Sequence, residues 1–147
     1  MTFPLILLAL GLGAIVSIYF PMIAQSARIL GSGPLANVPF FFIGFLSSVG
    51  IALAAGARAS DLQKAGEVPL WLWTAGIMSA GLIIGSSFLI PRLGLAAFFV
   101  LLVSGQVLAG MVFGWLGLFG VPPSPMTLAK ALGAAMVIGG VFLVTTG

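Results

Sequence analysis

The sequence predicts an all-α, polytopic integral membrane protein with five transmembrane helices. Hydrophobic residues make up 61% of the 147-residue chain and charged residues only 5%, whereas soluble domains carry about 25% charged residues. Five apolar segments approach the roughly 20 residues that a helix needs to cross a bilayer. The two acidic residues, Asp61 and Glu67, both lie in one polar connector between these segments. We therefore expect the surface of the protein to face lipid.

The five predicted spans leave little chain for a soluble domain, so we expect a single membrane domain over residues 1–147. A cleaved signal peptide is the competing interpretation of the first segment. No Lys or Arg precedes that segment, and its apolar run exceeds the roughly 7 to 15 residues of a signal core. We therefore expect it to remain as a span. The predicted spans are 3–24, 38–56, 70–90, 93–115 and 127–146.

The connectors are predicted from breaks in the apolar pattern. Within the first span, Pro21 cannot donate a hydrogen bond to the carbonyl of Ser17, so we expect a kink there. Residues 91–94, Pro-Arg-Leu-Gly, predict a helix break and a tight hairpin between the third and fourth spans. Residues 57–69 predict a solvated connector. A proline-rich connector ends near Thr127, which is a suitable cap for the fifth helix.

Positive charge does not strongly favour one orientation in the membrane. Arg58, Lys64 and Lys130 lie on the side of the N-terminus, and Arg28 and Arg92 lie on the other side. This three-to-two balance permits insertion either way round, since Lys and Arg excess sets orientation. Two copies packed antiparallel would then form the ten-helix inverted repeat of a transporter, of which this chain supplies half.

Small residues recur at every fourth position in several spans, where they let helix backbones approach each other. For any one of these stripes we favour packing within the chain over a subunit interface. The last helix is the preferred interface candidate, because a terminal helix at the periphery is free to meet a partner. Its small residues are Ala131, Ala135 and Gly139.

Composition excludes several functions. The chain has no His and no Cys, so it lacks an imidazole base, a thiolate, a haem ligand and the usual zinc ligands. We expect no enzyme activity, no metal and no cofactor. The five cations are scattered singly rather than clustered, which argues against nucleic-acid binding. Lys130 and Arg92 are interpreted as interfacial anchors, and the three tryptophans as an aromatic belt.

Polar residues inside the spans mark the candidate substrate-binding site, because such groups are costly in lipid. Gln106 lies near the middle of the fourth span, two residues after Ser104. Its amide either lines a pathway or bonds to the backbone of another helix, and the sequence leaves both interpretations open. The end of the first helix is polar too, and Arg28 there would favour anionic or zwitterionic cargo, although an ordinary helix end reaching the headgroups has the same pattern. The candidate residues are Ser17, Tyr19, Gln25, Arg28, Ser104 and Gln106.

Short motifs over nearly the whole chain carry a family resemblance. They are Arg28–Gly31, Pro91–Gly94, Gly105-Gln106, Gly120–Pro122 and the glycine-rich helix after Leu128. With these motifs the chain resembles the YdcZ-type inner-membrane proteins of the drug/metabolite transporter superfamily, which are related to the EamA permeases. The resemblance implies a five-span half-transporter of the bacterial inner membrane, with relatives that occur as short paired or dual-topology proteins and as ten-span fusions.

One departure from the family pattern limits what the resemblance implies. Relatives often carry an acidic residue after the fourth span, where this chain has Phe113, Gly114 and Trp115. A coupling role for such an acid therefore does not transfer.

The sequence thus predicts a small permease or exporter subunit that moves a small organic solute by alternating access. Its expected partners are the lipid bilayer and a second five-helix subunit, in an antiparallel homodimer or a heterodimer with a related chain. The alternative is a non-transporting membrane subunit or assembly factor that packs against a larger partner.

Overall fold

A computed structural model describes residues 3–146, without the side chains of residues 59, 62, 63 and 65. The described chain is helical and contains no strand. Five helices are long and apolar enough to cross a membrane, the third counted together with a short 3-10 helix, Leu70–Trp73, that leads into it. This confirms the predicted fold class. The α-helices are α1, Phe3–Leu30; α2, Gly33–Ala54; α3, Thr74–Leu93; α4, Leu95–Leu116; and α5, Leu128–Thr146.

The chain separates into two compact units. The first ends at Pro91 and contains α1, α2 and α3, and the second begins at Arg92 and contains α4 and α5. The single membrane domain over residues 1–147 stays a prediction.

The turn between α1 and α2 is shorter than the sequence predicts. Helix α1 runs through Pro21 to Leu30, and α2 already begins at Gly33. Gly31 takes a positive φ of 66°, which glycine adopts at little cost. Ser32 is the N-cap of α2, because its Oγ accepts from the backbone N–H of Leu35 at 3.2 Å. Glycine and serine thus end one helix and begin the next, in a segment that polarity alone indicated as a longer connector.

The buried part of the first unit is small. Phe20 is 1% exposed, and Ala24, Ala27 and Ala36 beside it let α1 and α2 approach closely. Ile83 and Ile90 of α3 are also buried. Most other apolar side chains are exposed, as expected for a protein whose solvent is lipid.

The polar connector forms a 3-10 helix, Ala59–Glu67. Asp61, Lys64 and Glu67 are spaced three apart within this helix, and a 3-10 helix has three residues per turn, so they align along one side. Asp61 accepts from the backbone N–H of Arg58 at 2.8 Å, and Lys64 Nζ lies 3.9 Å from Asp61 Oδ1. These groups are exposed, in agreement with a solvated connector.

The predicted helix break at Pro91 is wrong. Helix α3 continues through Pro91 to Leu93, and the chain turns at Gly94, whose φ is 78°. Pro91 cannot donate to the carbonyl of Ser87 and its ring crowds that carbonyl, yet the helix tolerates it this close to its end. Glycine adopts this positive-φ conformation at little cost, so the helix ends at Gly94 rather than at Pro91.

In the second unit, α4 packs against α5. Gly117 ends α4 in the left-handed conformation, and its N–H bonds to the carbonyl of Phe113. The connector then folds back onto α4, because the N–H of Ser124 bonds to the carbonyl of Gly114 at 2.8 Å. Thr127 caps α5 by accepting from the N–H of Lys130 at 3.3 Å, which confirms the predicted cap. None of the described α5 side chains is buried.

Candidate functional site

The six predicted site residues are divided between the two compact units. Ser17, Tyr19, Gln25 and Arg28 lie in the first unit, and Ser104 and Gln106 lie in the second. Ser17 is exposed, and its hydroxyl donates to the carbonyl of Gly13 in the same helix at 3.2 Å. Gln25 and Arg28 are exposed near the end of α1.

Tyr19 lines a groove of about 430 Å³ between α1 and α2. Its ring stacks on Phe40, with 5.9 Å between ring centroids and an interplanar angle of 20°. Ser26 lines the same groove, but its hydroxyl already donates to the carbonyl of Met22. The remaining walls are largely apolar, with Pro39 and Ile43 on the α2 side. This groove offers an aromatic surface and few polar contacts.

Ser104 and Gln106 face different grooves, although the sequence analysis placed them in one lining. Two residues along a helix correspond to a rotation of about 200°. Ser104 is buried, donates to the carbonyl of Val100 at 2.6 Å, and lines an apolar groove of about 420 Å³ between α4 and α5. Its hydroxyl is thus already bonded within its own helix, which leaves it little capacity for a ligand.

Gln106 lines a third groove, of about 320 Å³, together with Ser124 and Lys130. We call this the Gln106–Lys130 groove. Its apolar walls include Val107 and Met111. The Gln106 side chain is exposed and faces this groove.

Sequence reasoning did not assign Lys130 to the site. The sequence indicated an interfacial anchor, but the structure gives its ammonium two partners within the chain. Lys130 Nζ donates to Ser124 Oγ at 2.6 Å and to the carbonyl of Pro125 at 2.9 Å. The fold-back of the connector brings these groups together, and the Thr127 cap aims the first turn of α5 at them. The predicted Thr127 cap was the signal in the sequence that could have placed Lys130 at this site.

Asn37 is a second residue that sequence reasoning missed, because it was placed in a connector. It lies in α2, is 7% exposed, and its Nδ2 donates to the carbonyl of Ala80 in α3 at 3.1 Å. Its Oδ1 is buried without a hydrogen-bond partner among the described residues. Reading Ser32-Gly33-Pro34 as an N-cap signal would have placed Asn37 inside the helix.

A family model described as "Putative inner membrane exporter, YdcZ" matches residues 4–143. The chain belongs to this YdcZ family. No curated protein and no solved structure matches it. The matched range includes α2, α3 and α4 completely and most of α1 and α5.

Membership of the YdcZ family, together with five helices able to cross a membrane, makes this a multi-pass inner-membrane protein of a transporter class. Its environment is the lipid bilayer. The family description points to export rather than to catalysis. Within residues 3–146, no group of three or more His, Cys, Asp or Glu side chains is placed to hold a metal ion.

Proposed function

We propose that this YdcZ-family protein is a permease subunit that moves a small organic solute by alternating access, with the Gln106–Lys130 groove as part of its pathway. The observation that carries the proposal is the position of Gln106. Its amide faces an open groove in a membrane helix, next to a lysine and a serine. Polar groups at such a depth are costly in hydrocarbon unless water or a ligand meets them.

Tyr19 and Ser104 belong to the proposed pathway in a lesser role. Tyr19 presents the face of its ring, and Ser104 lines an apolar groove. Both places therefore suit the uncharged part of a solute. Ser17 stays in the proposal as an exposed polar group in the middle of α1, and Gln25 and Arg28 stay as exposed polar groups near its end, at the expected entrance.

The proposed active form has a second five-helix subunit, either an antiparallel copy of this chain or a related protein. The near-balance of cations supports dual insertion. The small-residue stripe of α5 supports a contact there, since its side chains are exposed and Gly139 has no atom within 4 Å of the position a Cβ would take. Together the two subunits would supply ten helices in an inverted repeat.

The transport test uses purified protein in proteoliposomes and a panel of small cationic, neutral and anionic organic dyes. We expect flux of at least one class, and Gln106→Leu should lower it by about tenfold or more, the effect of losing one or two polar contacts to a solute. Gly105→Leu, on the neighbouring position of the same helix, should keep normal flux. Absence of flux for every dye would refute the permease, and normal flux in Gln106→Leu would remove Gln106 from the pathway.

The assembly test exploits the absence of cysteine from the sequence. A single Gly139→Cys variant should cross-link to a dimer in membranes, whereas Ile138→Cys, an exposed position about 100° away around the same helix, should cross-link little. Reporters active on opposite sides of the membrane, fused to the C-terminus, should both give signal. If mild-detergent purification instead yields the chain with an unrelated, larger protein, the assembly-factor alternative replaces the dimer.

A further inference from the structure

Neither of the two groups that hold the Lys130 ammonium carries a negative charge. Ser124 Oγ and the carbonyl of Pro125 are uncharged acceptors. An ammonium has three N–H donors, so one donor remains for a third partner. A cation therefore lines the Gln106–Lys130 groove with its charge unneutralised by the groups that hold it.

Two further features add positive potential at the same place. Lys130 lies in the first turn of α5, a helix of 19 residues, and the N-terminal end of a helix carries about half a positive charge. Anions bind at such ends for this reason. Gln106, across the groove, contributes an amide that can donate to an oxygen.

The rest of the groove is shaped for an apolar body. Val107, Met111 and Met126 form apolar walls, and Gly110 and Gly114 lie between them. No atom lies within 4 Å of the position a Cβ would take on either glycine, so the glycines leave open space along α4. The volume of about 320 Å³ is within the range of about 300–1,000 Å³ typical of small-molecule sites.

We infer that the Gln106–Lys130 groove binds the carboxylate or phosphate group of a small amphipathic anion. The anionic group contacts the Lys130 ammonium, and the apolar part extends along α4 past Gly110 toward Gln106. The sequence analysis expected a preference for anions at Arg28, and this inference adds Lys130 as a second cation that favours them. The statement that this anion is the cargo rests on the proposed permease function, and the anion site itself does not.

The binding test uses the full-length protein purified in detergent, with benzoate as the probe and benzylamine as its cationic counterpart. Wild type should bind benzoate at least about tenfold more tightly than benzylamine, as measured by calorimetry. Lys130→Met should weaken benzoate binding by about tenfold or more, the effect of one charge-assisted hydrogen bond. Lys130→Arg should retain binding, and Lys64→Met in the exposed connector should leave it unchanged.

A second variant separates ligand binding from the structural role of Lys130, which also holds the connector. Gly110→Leu fills the groove without removing Lys130 and should weaken benzoate binding by a similar factor. Gly105→Leu is the matched control on the same helix and should bind normally. Unchanged benzoate affinity in both Lys130→Met and Gly110→Leu, or equal affinity of wild type for benzoate and benzylamine, would overturn the inference.

Lipid composition and flux then identify the source of the anion. In nanodiscs, phosphatidylglycerol should compete with benzoate if a lipid headgroup occupies the site, whereas benzoate binding independent of phosphatidylglycerol supports a water-soluble cargo. Benzoate binding without flux of any solute refutes the permease and leaves the anion site intact. Flux of other solutes by a protein that does not bind benzoate refutes the anion site and leaves the permease intact.

Discussion

Replacement of Asn37 by leucine is expected to stabilise the first unit. Asn37 is 7% exposed, donates to the carbonyl of Ala80 at 3.1 Å, and has a buried Oδ1 without a partner among the described residues. Leucine has a similar shape, so Asn37→Leu removes both the bond and the unpaired oxygen with little change in packing.

The two effects differ in size. Hydrogen bonds between membrane helices contribute on average about 0.6 kcal/mol, and a buried acceptor without a partner costs about 1–3 kcal/mol. The carbonyl of Ala80 lies inside α3, where the helix itself supplies a donor, so it loses only its second partner. The difference predicts a gain of about 0.4–2.4 kcal/mol in the free energy of unfolding.

The assay is unfolding by sodium dodecyl sulfate in mixed micelles, followed by tryptophan fluorescence. Ser86→Ala is the matched control, because Ser86 is 1% exposed but donates to the carbonyl of Ile83 in its own helix at 2.7 Å. That variant should stay within about 0.5 kcal/mol of wild type. A loss of more than about 1 kcal/mol in Asn37→Leu would refute the reasoning, because it would show that the Asn37–Ala80 bond outweighs the unpaired oxygen.

Two further predictions concern the backbone and the core. Gly117→Ala should lower the free energy of unfolding by at least about 1–2 kcal/mol, since Gly117 has a φ of 65° and a Cβ there would lie 2.8 Å from Pro123 Cγ. Gly105 lies in a helix interior, and no neighbouring atom lies within 4 Å of the position that a Cβ would take. Gly105→Ala should therefore be neutral or slightly stabilising in the same assay. Phe20→Ala should lower the free energy of unfolding by about 3 kcal/mol, because Phe20 is 1% exposed. Phe42 is 58% exposed, so Phe42→Ala should change it by less than about 0.5 kcal/mol. Equal losses in the two variants would contradict the assigned core.

The helix ends show where local sequence rules succeed. Thr127 was predicted as a cap and is one, because an N-cap needs only a hydroxyl and the backbone three residues later. The same rule applied to Ser32 would have given the correct start of α2 at Gly33. Pro91 misled because proline was treated as the break, whereas the positive φ belongs to Gly94.

The candidate site shows where local rules fail. Both Ser104 and Gln106 were identified as polar residues inside a span, but their assignment to one lining ignored the rotation between them. Lys130 was read as an anchor since nothing nearby in sequence identified its partners. They became visible only with the fold-back of the connector, through the bond between Ser124 and Gly114.

The sequence by itself determined the lipid environment, the number of spans and the absence of ordinary catalytic groups. It could do so because a chain in hydrocarbon must satisfy its backbone within each helix, so length and apolarity alone identify the spans. Only the tertiary structure decided which polar groups share a groove and which are already bonded, such as Ser104 within its helix and Asn37 with Ala80. Which polar groups share a groove depends on the rotation of each helix about its axis and on contacts between segments far apart in the chain. The hydropathy pattern gives no information about either.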